Sequence, residues 1–157
     1  YDRDTYALDD LIHGYIRERN LNDHEHIVLH EDYDAKDSLI VIDRIQFYRV
    51  LDNLVSNSIK YRYDDFIHID ITTAKIENAC KLVFSDNGKG VPTEMLNRLF
   101  DIFFRTDEAR TEVANGNGIG LAIVKQIVVD MNGIIYAEHN KNGRGLSIIM
   151  EFPCVKE

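Results

Sequence analysis

Apolar residues along the chain change their period several times, and each change marks an element. Leu8, Leu11, Ile12, Tyr15 and Ile16 recur at three- and four-residue spacing, which predicts a helix over residues 5–19 with Asp4 or Thr5 as its cap. Residues 26–34 and 39–42 read as two strands around a polar turn, Ala35-Lys36-Asp37-Ser38. A second helix is predicted after Asp43, with Ile45, Phe47, Leu51, Leu54, Val55 and Ile59 on its apolar side. Residues 66–74 alternate apolar and polar, as a half-buried strand does. A turn near Glu77-Asn78 leads to a further strand over 81–85 that enters Asp86.

Pro92 opens a short helix through about Phe100, at a position where proline is tolerated. Residues 101–117 show many charges and little periodicity, which predicts a mobile loop. Residues 119–131 follow as a helix with Leu121, Val124, Ile127, Val128 and Met131 inward and Gly133 beyond its end. Residues 134–138 and 146–152 close the chain as a hairpin around 140–145. This order predicts an α/β two-layer sandwich: one mixed, mostly antiparallel sheet with helices on one face. Hairpins on either side of the middle helices leave little scope for a doubly wound parallel sheet.

Composition narrows the setting. The 157 residues suit one domain with a real core, and no apolar run approaches the roughly 20 residues that span a bilayer. A net charge of −9 argues against nucleic acid or an anionic membrane as partner. It also means that a bound polyphosphate needs local neutralisation by a divalent cation and a few placed Lys and Arg. Cys80 and Cys154 suggest no disulfide framework, so a reducing cytoplasm is the simplest setting.

The second helix carries more than a core face. Gln46, Arg49, Asn53, Asn57 and Lys60 recur at helical spacing and form one polar stripe. A stripe of this kind is commonly just a solvated face. Two asparagines one turn apart are poor helix formers, however, and a merely wet face is better served by Glu, Lys or Gln. Carboxamides offer lone pairs to a hard cation and donors to phosphate without adding negative charge.

Two glycine clusters follow. Asp86-Asn87-Gly88-Lys89-Gly90 is good hairpin-turn chemistry, but two glycines one residue apart also let a ligand approach the backbone, beside a carboxylate that can accept from an exocyclic amine. Gly116, Gly118 and Gly120 precede the apolar helix at Leu121, where backbone amides and the helix dipole form an anion site. The triplet fails the dinucleotide fingerprint, since its third glycine comes one residue early, and it lacks the Gly-Lys-Ser/Thr of a P-loop.

The Asn-bearing helix, Asp86 to Gly90, the aromatic run Phe100 to Arg105 and Gly116 to Leu121 occur in an order that resembles the N, G1, F and G2 boxes of sensor histidine kinases. That family shares an ATP-binding fold with DNA gyrase, MutL and a heat-shock chaperone, and the resemblance covers about residues 21–153. It implies a catalytic domain that binds ATP and Mg²⁺. Asn57 would be the magnesium ligand, Asn53 a supporting phosphate or water contact, and Lys60 a phosphate contact. Tyr61 would pack on adenine or ribose, its plainer alternative being helix-end packing. Asp86 would read the adenine amino group, with Gly88, Gly90 and Val91 beside it. Gly116, Gly118, Ile119, Gly120 and Leu121 would hold the β- and γ-phosphates and hinge a lid over 101–117. Arg105 would reach the γ-phosphate when the lid closes. Phe100, Phe103 and Phe104 would dock a partner helix or form a satellite core, while Lys89, Arg110 and Lys125 are solvated.

The gyrase-like members carry a Glu one turn before the magnesium Asn to activate water. Asn53 stands at that position here and cannot be a general base. This favours phosphoryl transfer to a positioned histidine over ATP hydrolysis. None of the six histidines has the acceptor motif. The resemblance therefore implies an acceptor on a separate dimerisation domain, with residues 1–20 as the helix after it and 21–157 as the catalytic domain. The parent would be a membrane-anchored dimer with this domain in the cytoplasm and a response regulator downstream. Rival readings are an anti-sigma-factor-type serine kinase and a degenerate nucleotide-sensing module.

Overall fold

The computed structural model describes residues 2–101, 120–141 and 143–155. Strand β1 (Arg3–Ala7) runs directly into helix α1 (Leu8–Arg19). Strands β2 (Ile27–Asp34) and β3 (Leu39–Asp43) precede helix α2 (Arg44–Lys60). Strands β4 (Ile67–Ile76) and β5 (Ala79–Asp86) lead to a 3-10 helix, Thr93–Arg98. Helix α3 (Gly120–Asp130) and strands β6 (Ile134–His139) and β7 (Leu146–Pro153) complete the order.

Five strands form one sheet in the order β2-β4-β5-β7-β6. The β2–β4 pair is parallel, with Ile27 opposite Ile67, and the other three pairs are antiparallel. Alternation along β4 sends Ile67, Ile69 and Ile71 inward and His68 and Asp70 outward. The three helices close over the inward face: Leu8, Ile12 and Tyr15 of α1, Phe47, Leu51 and Leu54 of α2, and Val124 and Val128 of α3 share one core with the sheet. On the open face His30 Nε2 lies 3.2 Å from His68 Nδ1. The expected two-layer sandwich is the observed architecture.

Three local expectations are corrected. Residues 5–7 are strand, not helix: β1 pairs antiparallel with β3, Tyr6 opposite Ile40, and α1 starts at Leu8 with Ala7 at its N-cap and no side-chain cap. Pairing with a distant strand satisfies this backbone, and no local pattern announces it. The strands β2 and β3 do not pair with each other. Their turn forms, with Asp37 at φ 55 and Ser38 N donating to Ala35 O, but β3 joins the two-stranded sheet with β1 while β2 joins β4. Ile45 is 69% exposed, because it lies two residues before the buried Phe47 and so on the opposite side of the helix.

Helix α2 is held at both ends and along its flank. Asp43, its N-cap, accepts from Gln46 N at 3.1 Å and from Asp2 N at 2.8 Å. Burial pushes the Asp43 carboxyl up, but the N–H groups of Gln46, Asp2 and Ile45 outweigh it and hold the group below its ordinary value. Arg19 of α1 grips Asp52 of α2 with both its Nε and Nη2, at 3.0 and 3.1 Å. Tyr15 donates to the same carboxylate at 2.7 Å and meets the Tyr48 ring edge-on at 5.2 Å.

Candidate functional site

Asp86 is the last residue of β5, and four segments converge on it. From α2, the buried Ser58 donates its hydroxyl to Asp86 Oδ2 at 2.6 Å. Inside the loop, Gly88 N donates to Asp86 Oδ1 at 2.9 Å. Each carboxylate oxygen thus has one donor and keeps a further lone pair for a third group. Asn87 closes the loop against β4, accepting from His68 N at 2.9 Å and donating its own N–H to His68 O at 3.3 Å. Lys89 N donates to Tyr61 O at 3.0 Å, which ties the loop to the end of α2.

The fourth segment is the β6–β7 turn. Asp86 lies opposite Leu146 in the β5–β7 register, which brings Asn140 and Gly145 beside it. Asn140 donates its carboxamide N–H to Asp86 O, and Ser147 donates to Asn140 Oδ1. The Ser85 and Ser147 hydroxyls meet at 2.7 Å behind them. Gly145 has φ +113, and a Cβ there would stand 1.9 Å from Asp86 O, so only glycine fits. Gly88 is glycine for a related reason: a Cβ would come within 2.9 Å of Tyr61 O. The close approach seen at Gly88 is therefore that of the chain itself. Gly90 has φ +65, the left-handed region.

Helix α2 packs against α3 and meets this loop through Ser58. Asn53 and Asn57 are half-buried one turn apart, and Ser58 follows Asn57 directly. Asn53 donates to Arg49 O at 2.9 Å, and its Oδ1 lies 3.2 Å from where a Cβ on Gly120 would be. The carboxamide oxygen of Asn53 thus abuts the first residue of α3. Leu121 packs against the core one residue later, and Val91 is half-buried after Gly90. Lys60 Nζ stands 5.9 Å from the Tyr61 ring centroid. An open cavity of about 730 Å³ borders Lys60 and continues along Arg62, Tyr63, Asp64, Asp65 and Phe66. It includes neither Asn57 nor Asp86, so it lies beside the predicted site.

The structure brings Asn53, Asn57, Asp86, Gly88, Gly90 and Gly120 into one region. Arg105, Gly116, Gly118 and Ile119, with Phe103, Phe104, Arg110, Asn117 and the remainder of the expected lid after Asp101, lie outside the described residues. Sequence reasoning missed Ser58, Asn140 and Gly145. The first is hidden among apolar neighbours, and the other two look like ordinary turn residues. Among the described residues no three His, Cys, Asp or Glu side chains gather as a metal cluster. A hard cation here would rest on carboxamide oxygens and on its ligand's own oxygens, which suits the Asn53–Asn57 pair. No helix among the described residues is long and apolar enough to cross a membrane.

A mixed sheet covered on one face thus carries a carboxylate–glycine loop set against an asparagine-bearing helix. The model of the "Histidine kinase-, DNA gyrase B-, and HSP90-like ATPase" family matches residues 42–156, and the chain belongs to that family. Relatives include the sensor protein kinase WalK of Staphylococcus saprophyticus, 34% identical over 82% of this chain and 23% of that protein. WalK of Staphylococcus aureus is 36% identical over 78% of this chain and 30% of that protein. The chain thus spans less than a third of the length of these relatives. The catalytic domain of histidine kinase ThkA, solved nucleotide-free, superposes with a TM-score of 0.78 at 26% identity and full coverage of both chains. ThkA in complex with the response regulator TrrA gives 0.72 at 25% identity, over 98% of this chain and 42% of that one. Within the family, this chain is an ATP-binding catalytic domain of the sensor-histidine-kinase type.

Proposed function

We propose that this domain binds Mg-ATP and donates the γ-phosphoryl group to a histidine on a separate helical dimerisation domain, for two-component signalling. The observation that carries the reading is Asp86. It is a half-buried carboxylate fixed by Ser58 and Gly88 with a lone pair to spare on each oxygen, and in this reading it accepts from the adenine amino group. Guanine presents an oxygen acceptor at that position and would be repelled. Gly88, Gly90 and Val91 lie beside the base, and Tyr61 packs on adenine or ribose.

Asn57 holds Mg²⁺, and Asn53 supports a phosphate or a water. The cation supplies charge neutralisation at the phosphates, which an acidic domain otherwise lacks. Lys60 contacts phosphate oxygens. Gly116, Gly118, Ile119, Gly120 and Leu121 present backbone amides at the start of α3, and Arg105 meets the γ-phosphate. Asn53 is no general base, so the chemistry is transfer to a positioned imidazole and not hydrolysis by activated water. The acceptor lies on a dimerisation domain, and a response regulator receives the phosphoryl group afterwards. ThkA, solved with its regulator, supports that partner class. The parent protein is a membrane-anchored sensor with this domain in the cytoplasm.

The test is calorimetric titration with a non-hydrolysable ATP analogue, with and without Mg²⁺, beside the GTP analogue and Asp86→Asn. Magnesium-assisted binding that prefers adenine and falls at least about tenfold in Asp86→Asn is expected, the loss of one charge-assisted hydrogen bond. Equal affinity for both bases, or unchanged binding in the variant, overturns the role of Asp86. Asn57→Asp should abolish productive Mg-ATP binding, and undiminished transfer to an added acceptor domain would remove the metal assignment.

A further inference from the structure

Cys80 and Cys154 take no part in the site, yet the fold places them together. Cys80 is the second residue of β5, faces the core and has no solvent exposure. Its register partner on β7 is Phe152. Cys154 follows two residues later, on the same side of the chain, just past the end of β7. Hydrogen bonds hold it there: Cys154 N donates to Asn78 O and Val155 N donates to Leu39 O, both at 2.8 Å. The two sulfurs stand 2.9 Å apart as free thiols. A disulfide needs them at about 2.05 Å, so closing the bond takes a movement of about 1 Å at a chain end.

The two thiols are not equivalent. Cys154 is partly exposed, unlike Cys80, and is the one that a soluble oxidant meets. Burial pushes the Cys80 thiol up to about 12, with the Cys154 sulfur adding to the effect, so Cys80 stays protonated and inert toward oxidants on its own.

We propose that Cys80 and Cys154 are an oxidative-modification site: a hydroperoxide oxidises Cys154, and Cys80 converts it to an intramolecular disulfide that fastens the end of β7 to the start of β5. In the first step the Cys154 sulfur attacks one peroxide oxygen and the O–O bond breaks. The departing hydroxide takes the thiol proton and leaves as water, giving a sulfenic acid. In the second step the Cys80 sulfur attacks the Cys154 sulfur and the S–O bond breaks. Hydroxide carries away the Cys80 proton as a second water. Two thiols and one hydrogen peroxide become one disulfide and two waters, and a dithiol reductant reverses the change. The bond joins residues 74 apart in the chain and so encloses the Asp86 loop and α3. Constraining the unfolded chain over that span should raise the melting temperature by roughly 5–15 °C.

The experiment treats the native chain with stoichiometric hydrogen peroxide, blocks remaining thiols by alkylation, and maps peptides by mass spectrometry beside thermal melts. Expected are a monomer 2 Da lighter, a Cys80–Cys154 cross-linked peptide, a raised melting temperature, and full reversal by dithiothreitol. Cys154→Ser, at a partly exposed position past the end of β7, should fold normally and show neither the link nor the shift. Sulfinic acid on Cys154 without the link, a disulfide between two chains through Cys154, or a link that lowers the melting temperature would each overturn the proposal.

Discussion

At the scale of single residues, the site depends on donors that hold a carboxylate still. Ser58 stands 2.6 Å from Asp86 Oδ2 and has no other evident task, since an alanine would fill a helix core position as well. Ser58→Ala leaves that oxygen without its partner and the carboxylate with more freedom to turn. Affinity for the ATP analogue should fall by roughly tenfold while the far-ultraviolet spectrum stays the same. Unaltered affinity would show that the loop alone aims Asp86. Gly145 works by absence: a methyl there meets the Asp86 carbonyl at 1.9 Å, on a backbone that L residues rarely adopt. Gly145→Ala should lower stability by at least about 2 kcal/mol, read as a fall in the urea midpoint. An unshifted midpoint would show that the turn moves away without cost.

At the scale of elements, α2 connects almost everything. Its cap, Asp43, answers the amide of Gln46 and the chain's second residue together. Asp43→Ala should cost about 1–2 kcal/mol and lower the melting temperature by roughly 2–8 °C, as thermal unfolding would report. The helix was legible in the sequence because apolar period and polar stripe agree within its seventeen residues. The same holds for β4, β5 and the β6–β7 hairpin, whose signals are local. What was not legible is pairing between distant segments. Nothing in Arg3–Ala7 announces β3 as its partner, and the strands β2 and β4 lie parallel across an intervening strand and helix. The site divides in the same way. Asp86, Gly88 and the asparagine stripe announce themselves by residue type and spacing. Ser58, Asn140 and Gly145 gain their meaning only once β5, β7 and α2 are side by side.

At the scale of the molecule, acid should loosen the fold through its helix clasp. Burial pushes the Asp52 carboxyl up, but hydrogen bonds from Arg19 and Tyr15 outweigh it, and the net shift is downward. Asp43 is shifted the same way. A carboxyl lowered in the folded state stabilises above its unfolded value and loses that contribution as pH falls. The melting temperature should therefore drop as pH falls below about 4, where free aspartate takes up its proton. In Asp52→Asn that part of the acid slope should be smaller; an identical slope would place the acid sensitivity in other groups.

The loop around Asp86 is pinned by partners 28 and 54 residues away, on α2 and on the last hairpin. Each such contact closes a long loop, an entropic cost that a local turn does not carry. A chain that stalls with β6 and β7 undocked would have helices and most of a sheet but no seat for its ligand. Ligand capture is thus a test of completion, and a bound nucleotide would tighten the whole domain at once by mass action, not one corner of it.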